Sequence, residues 1–306
     1  MLDRHNKNSI FLLREVSIME LRVLQYFLAV ARAQSISGAA EFLHLSQPTL
    51  SRQIKDMEKE LGKQLLIRGN RRITLTEEGM ILCKRAEEIM ELVKKTESEI
   101  TLSDESIAGD IYIGAGESNS VGYIAKAANA LRREYPLVHF HIESGDAQTV
   151  YEQLDKGLID FGLLFGNIDL TKYNSISLPT KDTWGVLIPK DSELAKRDVI
   201  TPNDLIKEPL IVSRQGITRG ELQNWFKLPE EKLNVVATYN LLYNASLLVE
   251  EGVGYALCLD KIINTSNCNL CFKPLYPKLE VSMSIVWKKH QVFSKASNKF
   301  LDFIFQ

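Results

Sequence analysis

The sequence has no run of about 18 consecutive apolar residues, which is the length a helix needs to cross a bilayer. Its longest early apolar run, residues 10–13, is too short for the core of a signal peptide. Only four of its 306 residues are cysteines, too few for a disulfide framework in a chain of this length. We therefore expect a protein without membrane spans that works in the reducing cytoplasm.

Catalytic and metal-binding patterns are also scarce. No Ser/His/Asp order and no pair of carboxylates suggests a reaction centre, so we expect no enzyme and no cofactor. His139 and His141 would share one face of a strand, but no third metal ligand accompanies them. Cys268 and Cys271 have C-x-x-C spacing without a second pair or a helix behind them, so a redox or metal role is the less favoured interpretation.

The net charge of −2 conceals an asymmetry along the chain. Residues 19–77 contain nine Lys and Arg against six Asp and Glu, whereas residues 78–306 contain 25 against 31. A chain of 306 residues also exceeds what one core usually organises, so we expect two or three domains. The basic front segment favours nucleic-acid binding by the first of them.

Helical signals begin at Met19 and predict three short helices. Residues 1–18 show no period, and we expect them to be disordered or, if Met19 is the true start, absent from the protein. A helical apolar pattern follows Met19, and a second short helix fits residues 37–43. Ser46 is a good N-cap for a third helix that has Pro48 in its first turn and Gly62 as its stop.

The third helix has one apolar stripe, formed by Leu50, Ile54, Met57 and Leu61. Residues 65–67 and 73–75 are short apolar strands around the turn at residues 69–72, which predicts a hairpin wing. Residues 19–77 are therefore interpreted as a winged helix-turn-helix domain that is mostly α-helical.

Residues 78–106 are predicted to form a long linker helix capped by Thr76. Apolar residues and one threonine follow the alternating steps of four and three that a coiled coil requires: Leu82, Ala86, Ile89, Val93, Thr96 and Ile100. Dimerisation through this helix is the favoured interpretation. The alternative is a helix that packs on its own domain.

Strands alternate with helices from Gly109 onward, which predicts an α/β domain over residues 107–306 with a largely parallel sheet. Two lobes fit the pattern. We expect the first over about 109–180 and 281–306 and the second over about 181–280. The overall class is α/β.

Residues 19–79 resemble the LysR-type family of bacterial transcriptional regulators. The segments that carry the resemblance are residues 24–31, 39–41, 45–54, 61–62 and 75–79. A looser similarity to the family's effector-binding domain covers Tyr135-Pro136, Leu154 to Asp160 and Glu251 to Leu257. The resemblance implies a two-lobed fold of the periplasmic-binding-protein type 2 class, used inside the cell.

The third helix would carry the groups that contact DNA. Short polar and cationic side chains opposite its apolar stripe can reach phosphates and base edges in the major groove. The predicted DNA-binding residues of the helix and wing are Gln47, Pro48, Ser51, Arg52, Gln53, Lys55, Arg68, Arg71 and Arg72. Arg52 is the preferred contact to a guanine, and the wing arginines suit phosphates or an A/T-rich minor groove. The alternative is that these positions are merely solvated.

The segment from Gly114 to Asn119 lies between a strand and a helix, where free N–H groups can hold an acceptor or anion. It has no full dinucleotide fingerprint. The resemblance places Ser118 and Asn119 in an effector cleft, whereas capping of the helix is the plainer interpretation. Glu117 would repel an anionic ligand unless it turns away. Further predicted effector-binding residues are Gly145, Gln148, Phe165, Ser213, Thr218 and Asn244.

The sequence thus predicts a DNA-binding regulator whose activity responds to an effector between the two lobes. We expect a homodimer on an A/T-rich promoter inverted repeat, nucleoid association, and RNA polymerase as a further partner. The family resemblance implies assembly to a homotetramer. Two alternatives stay open. One is an enzyme or solute-binding protein that shares the two-lobed fold, and the other is a C-terminal assembly module without a ligand.

Overall fold

The structure is a computed structural model that describes residues 19–69, 72–101, 107–166, 168–214 and 221–305. The extension predicted over residues 1–18 lies outside the described residues. The chain divides into two compact units, residues 1–100 and 101–306. No helix in the described ranges is long and apolar enough to cross a bilayer.

The described part of the first unit has three short helices, a two-stranded hairpin and a long helix. Its elements are α1 (Leu21–Ala33), α2 (Ile36–Phe42), α3 (Gln47–Leu61), β1 (Leu66–Arg68), β2 (Ile73–Leu75) and α4 (Glu77–Thr101). Helix α2 begins one residue earlier than the sequence predicts, because the Ser35 hydroxyl accepts the N–H of Gly38 at 3.2 Å and caps the helix there.

Local signals place α3 as predicted. The Ser46 hydroxyl accepts the N–H of Thr49 at 3.3 Å, and Gly62 ends the helix with a φ of 64°, a left-handed conformation that glycine adopts without strain. Leu50 and Ile54 are fully buried in the core of this unit. This packing directs the opposite, polar face of α3 into solvent.

Helix α4 divides its apolar residues between its own unit and solvent. The Thr76 hydroxyl accepts the N–H of Gly79 at 3.0 Å, which confirms the predicted cap. Ala86 is fully buried in a cluster with Leu24 and Leu28 of α1. Farther along the helix three apolar side chains are exposed: Ile89, Leu92 and Ile100. Of the predicted seam, Ala86 therefore packs internally, Val93 is half-buried, and Ile89 and Ile100 face solvent in the single chain. Leu92 lies outside that seam.

The second unit contains one continuous sheet of nine strands within the described ranges. They are β3 (Gly109–Ala115), β4 (Val138–Ser144), β5 (Phe161–Phe165), β6 (Tyr173–Pro189), β7 (Leu210–Ser213), β8 (Val235–Tyr239), β9 (Tyr255–Leu259), β10 (Leu270–Pro274) and β11 (Glu280–Lys288). The order is β4-β3-β5-β11-β6-β9-β7-β8, with β10 beside β6. The parallel pairs β3–β4, β3–β5, β7–β8 and β7–β9 build two α/β halves.

Strand β6 joins the two halves because its 17 residues pair with different partners along their length. The part from Tyr173 to Thr183 pairs with β11, and the part from Trp184 to Pro189 pairs with β9 and β10. The α-helices that the structure describes in this unit are α5 (Val121–Glu134), α6 (Ala147–Lys156), α7 (Pro202–Leu205), α8 (Glu221–Phe226), α9 (Leu242–Glu250) and α10 (Lys295–Ile304), and two short 3-10 helices cover Glu193–Lys196 and Glu230–Lys232.

The chain returns to the first half at its end. Strand β11 lies between β5 and β6, and it is antiparallel to both. Phe300 of α10 is fully buried, with its ring 5.2 Å from that of Phe140 and 5.4 Å from that of Phe161. The first lobe therefore combines strands β3 to β5 with elements more than 100 residues later in the chain.

Candidate DNA-binding surface and effector cleft

The polar face of α3 presents most of the predicted DNA contacts to solvent. Four of them are exposed: Gln47, Pro48, Arg52 and Lys55. Ser51 and Gln53 are half-buried. The Arg52 side chain is 83% exposed, and its Nε lies 3.7 Å from an Asp56 carboxylate oxygen. Such a surface ion pair contributes little, so the guanidinium is available to a partner.

The hairpin wing is fixed to α3 by Glu58. A carboxylate oxygen of Glu58 accepts the N–H of Leu65 at 2.8 Å and that of Leu66 at 3.1 Å. Arg68 and Arg72 are exposed on either side of the turn, whereas the predicted contact Arg71 lies outside the described residues. In the sequence Glu58 looks like any solvated residue of a helix, and its role depends on the hairpin that packs beside it.

The second unit contains a cleft between its two lobes, with a cavity of about 50 Å³. Several of its walls lie just beyond the carboxyl ends of parallel strands, the usual place for a ligand in such sheets. The wall residues are Gly116, Glu117, Gly145, Asp146, Leu163, Leu164, Phe165, Trp184, Ser213, Arg214, Tyr239, Asn240, Leu242, Leu259, Ile262 and Met283. Among the predicted effector-binding residues, Gly145, Phe165 and Ser213 line this cavity.

The other predicted effector-binding residues lie elsewhere. Asn119 is exposed before α5, Gln148 is exposed and donates to Glu152 at 3.1 Å, and Asn244 is exposed on α9. Thr218 lies outside the described residues. The Ser118 hydroxyl is buried near the cavity loop and has no hydrogen-bond partner among the described residues.

Capping does not account for Ser118 or Asn119. The N-cap position of α5 belongs to Ser120, whose side chain makes no capping bond. Instead the Ser120 hydroxyl donates to a carboxylate oxygen of Asp182 at 2.7 Å, which ties the start of α5 to β6. The capping interpretation of Ser118 and Asn119 was therefore wrong.

Among the described residues, three charged side chains line the cleft: Glu117, Asp146 and Arg214. An Asp146 oxygen accepts the backbone N–H of Thr149 at 2.9 Å and its hydroxyl at 2.8 Å. These hydrogen bonds lower the pKa of Asp146, and Arg214 lowers it further. Asp146 therefore caps α6 as an anion. A Glu117 oxygen accepts the backbone N–H of Leu242, the first residue of α9.

The remaining walls are mostly apolar, and they include Phe165, Trp184 and Met283. Trp184 is only 2% exposed, and its indole Nε1 has no hydrogen-bond partner among the described residues. The Tyr239 hydroxyl donates to the carbonyl of Leu257 at 2.8 Å, and burial raises the pKa of Tyr239 well above its ordinary value. An apolar pocket with a few fixed polar groups suits a small organic ligand.

The histidine and cysteine motifs do not form a site of this kind. His141 Nε2 lies 2.9 Å from an Asp110 oxygen, and its ring stacks on Tyr112. Within the part of the chain that the structure describes, no group of three or more His, Cys, Asp or Glu side chains is arranged to hold a metal. Burial raises the pKa of the Cys271 thiol, the direction opposite to that of a reactive thiolate.

Comparison with known proteins places both units in one family. Residues 21–80 match the model of the bacterial regulatory helix-turn-helix protein, lysR family, and residues 104–306 match the LysR substrate binding domain. The chain is 28% identical over 289 residues to the uncharacterized HTH-type transcriptional regulator YnfL of Escherichia coli (strain K12), covering 92% of this chain and 96% of that protein.

Two solved structures of CbnR, a LysR family transcriptional regulator, share the fold. The protein alone gives a TM-score of 0.73 at 18% identity, covering 94% of this chain and 98% of that chain. Full-length CbnR complexed with its target DNA gives 0.72 at 19%, covering 94% and 99%. The chain belongs to the LysR family and is a DNA-binding transcriptional regulator with an effector-binding domain.

Proposed function

We propose that α3 and the hairpin wing recognise promoter DNA, and that a small molecule in the cleft lined by Gly145, Phe165 and Ser213 changes this binding. The observation that carries the proposal is the division of α3 into two faces. Leu50 and Ile54 fix one face of the helix in the core. Because the helix backbone is held there, Arg52 extends into solvent from a fixed position. A helix of this kind fits the major groove.

Base recognition falls to α3 in this proposal. Arg52 contacts a guanine through two hydrogen bonds, and Gln47 and Gln53 contact a base edge or a phosphate. Ser51, Lys55 and the residues around Pro48 approach the backbone at the start of the helix. Arg68, Arg71 and Arg72 follow phosphates or an A/T-rich minor groove.

Assembly completes the proposal. The exposed apolar residues Ile89, Leu92 and Ile100 of α4 pair with those of a second copy, because such a stripe is stable in water only when it is covered. The dimer then places two recognition helices on an inverted repeat. We further propose a tetramer, contact with RNA polymerase, a place at the nucleoid in the cytoplasm, and no enzymatic activity.

Genome-wide footprinting of the purified protein tests the DNA-binding part. The wild type should protect discrete inverted repeats. Arg52→Ala should reduce the preference for the specific site over random sequence by about 1–3 kcal/mol. Arg72→Ala should instead weaken binding to all DNA sequences and reduce the slope of log K against log salt concentration by about one. Lys59→Ala is the matched control, because Lys59 is an exposed cation in the last turn of the same helix.

Each outcome bears on a separate statement. Equal losses on specific and random DNA for Arg52→Ala would remove its role in base recognition. Absence of any specific site for the wild type would contradict the proposed function as a whole. Adding metabolite pools to the same footprints tests effector control, since protection should then shift in extent or spacing.

A further inference from the structure

Glu117 links the two lobes across the cleft. It lies in the loop after β3 in the first lobe, and its carboxylate accepts the N–H of Leu242 at the start of α9 in the second. The N-cap residue of α9 is Leu241, which has no side-chain group to satisfy that end of the helix. Free N–H groups and the helix dipole make such an end an anion site, and here the protein fills it with its own carboxylate.

The neighbouring charged side chains do not compensate the negative charge of Glu117. The other ionised groups on the cavity wall are Asp146 and Arg214, and Arg214 interacts with the Asp146 carboxylate. The described walls therefore carry two carboxylates against one guanidinium. A carboxylate ligand near α9 would meet the Glu117 charge in a partly buried site, where like charges repel more strongly than in water.

Trp184, one of the cavity walls, carries a buried hydrogen-bond donor. The indole N–H is a donor only, and it has no partner among the described residues. A buried donor without a partner costs free energy unless a ligand or water accepts its hydrogen. A carbonyl oxygen that reached this N–H would accept its hydrogen without adding negative charge.

We infer that Glu117 sets the ligand class of the cleft: it occupies the anion site at α9, so the cleft takes an uncharged compound with a carbonyl acceptor and a short apolar body, and rejects carboxylates. This rests on the proposed function, in which the cleft holds the effector. The cavity of about 50 Å³ has room for only about three to five water molecules, so the ligand body is small.

Two probes of equal shape test the inference on the full-length protein: butyramide and butyrate. Titrations followed by ligand-observed NMR give the Kd of each probe for the wild type and for Glu117→Gln. The wild type should bind butyramide at least about tenfold more tightly than butyrate. Glu117→Gln should reduce this preference at least about tenfold, because its amide oxygen still accepts from Leu242 while the charge is gone.

Glu152→Gln is the matched control, since Glu152 is an exposed carboxylate of the same lobe that does not line the cavity. It should keep the wild-type preference. Glu117→Ala, a second variant with no acceptor at all, should lose the preference as Glu117→Gln does. The inference fails if butyrate binds the wild type as tightly as butyramide, if the preference survives in Glu117→Gln, or if neither probe binds either protein at millimolar concentrations.

The titrations test the inference independently of the proposed DNA-binding function, because they contain no DNA. A protein that prefers butyramide but protects no specific DNA would retain the inference and lose the regulator proposal. Specific footprints together with equal binding of the two probes would do the reverse.

Discussion

Helix α3, the proposed recognition helix, and the cleft place their polar groups in opposite environments. On α3 the candidate contacts come from a single helix of 15 residues, and Arg52 stands almost fully in solvent. The cleft draws its wall from segments between Gly116 and Met283, and it buries Trp184 and half-buries Tyr239. A surface for DNA gains from exposed cations, because neutralising the phosphates releases the counterions condensed on the DNA. A pocket for a small molecule instead needs polar groups that are held in place in advance and shielded from water.

The two units should also unfold separately when a buried side chain in one of their cores is truncated. Leu50 on the apolar face of α3 is fully buried, and Leu50→Ala removes its side chain from a small core. We expect a loss of about 2–5 kcal/mol in the free energy of unfolding of the first unit, and with it specific DNA binding. Calorimetry should show the transition of the first unit at a lower temperature and that of the second unchanged.

Ile113→Ala is the counterpart in the second unit, where Ile113 of β3 is fully buried. It should lower the transition of that unit and leave the first in place. If both transitions moved together in either variant, the two units would unfold as one cooperative unit. Their stabilities would then not be independent of each other.

The recognition helix was predictable because its signals are local. Ser46, Pro48 and Gly62 set its ends, and the four-three-four spacing of its apolar residues sets its buried face. Each signal depends on neighbours within one or two turns, so the sequence contains the whole argument. The first strand of the wing and helix α2 were each misplaced by only one residue.

The cleft was predictable in location but not in composition. Gly145, Phe165 and Ser213 follow the rule that ligands bind beyond strand ends. Trp184 and Leu242 follow no such rule in the sequence, because their place on the wall depends on how β6 crosses between the halves and how α9 meets Glu117. Asn244 and Gln148 carry suitable groups in nearby segments, yet their helices turn them to solvent.

Ser118 offers a sharper contrast with the solvated groups of α3. Its hydroxyl is buried and has no partner among the described residues, so in the free protein it is a cost to stability. Ser118→Ala should therefore raise the free energy of unfolding of the second unit by about 1 kcal/mol. Thermal denaturation of the ligand-free protein measures this. A loss of stability instead would mean that the hydroxyl is hydrogen-bonded through water.

The smallest expected effect compares two helix caps, one in each region. Ser46 caps α3 and Asp146 caps α6, each by accepting the N–H of the residue three positions on. At neutral pH, Ser46→Ala and Asp146→Ala should each cost about 1 kcal/mol. The caps differ in charge, because the Ser46 hydroxyl is neutral and Asp146 is a carboxylate. The Thr149 hydrogen bonds lower the pKa of Asp146 in the folded protein.

The charge of Asp146 makes its cap depend on pH. A folded pKa below the unfolded value means that the stabilisation is complete above the unfolded value of about 3.9, and is lost as the pH falls through the folded pKa. The loss of stability caused by Asp146→Ala should therefore shrink in acid. The loss caused by Ser46→Ala should not change in this way. The difference in stability between Asp146→Asn and Asp146→Ala should not change in this way either. Differences between variants at each pH cancel the titration of distant carboxylates. Parallel pH courses for Ser46→Ala and Asp146→Ala would show that the Asp146 cap does not depend on its charge.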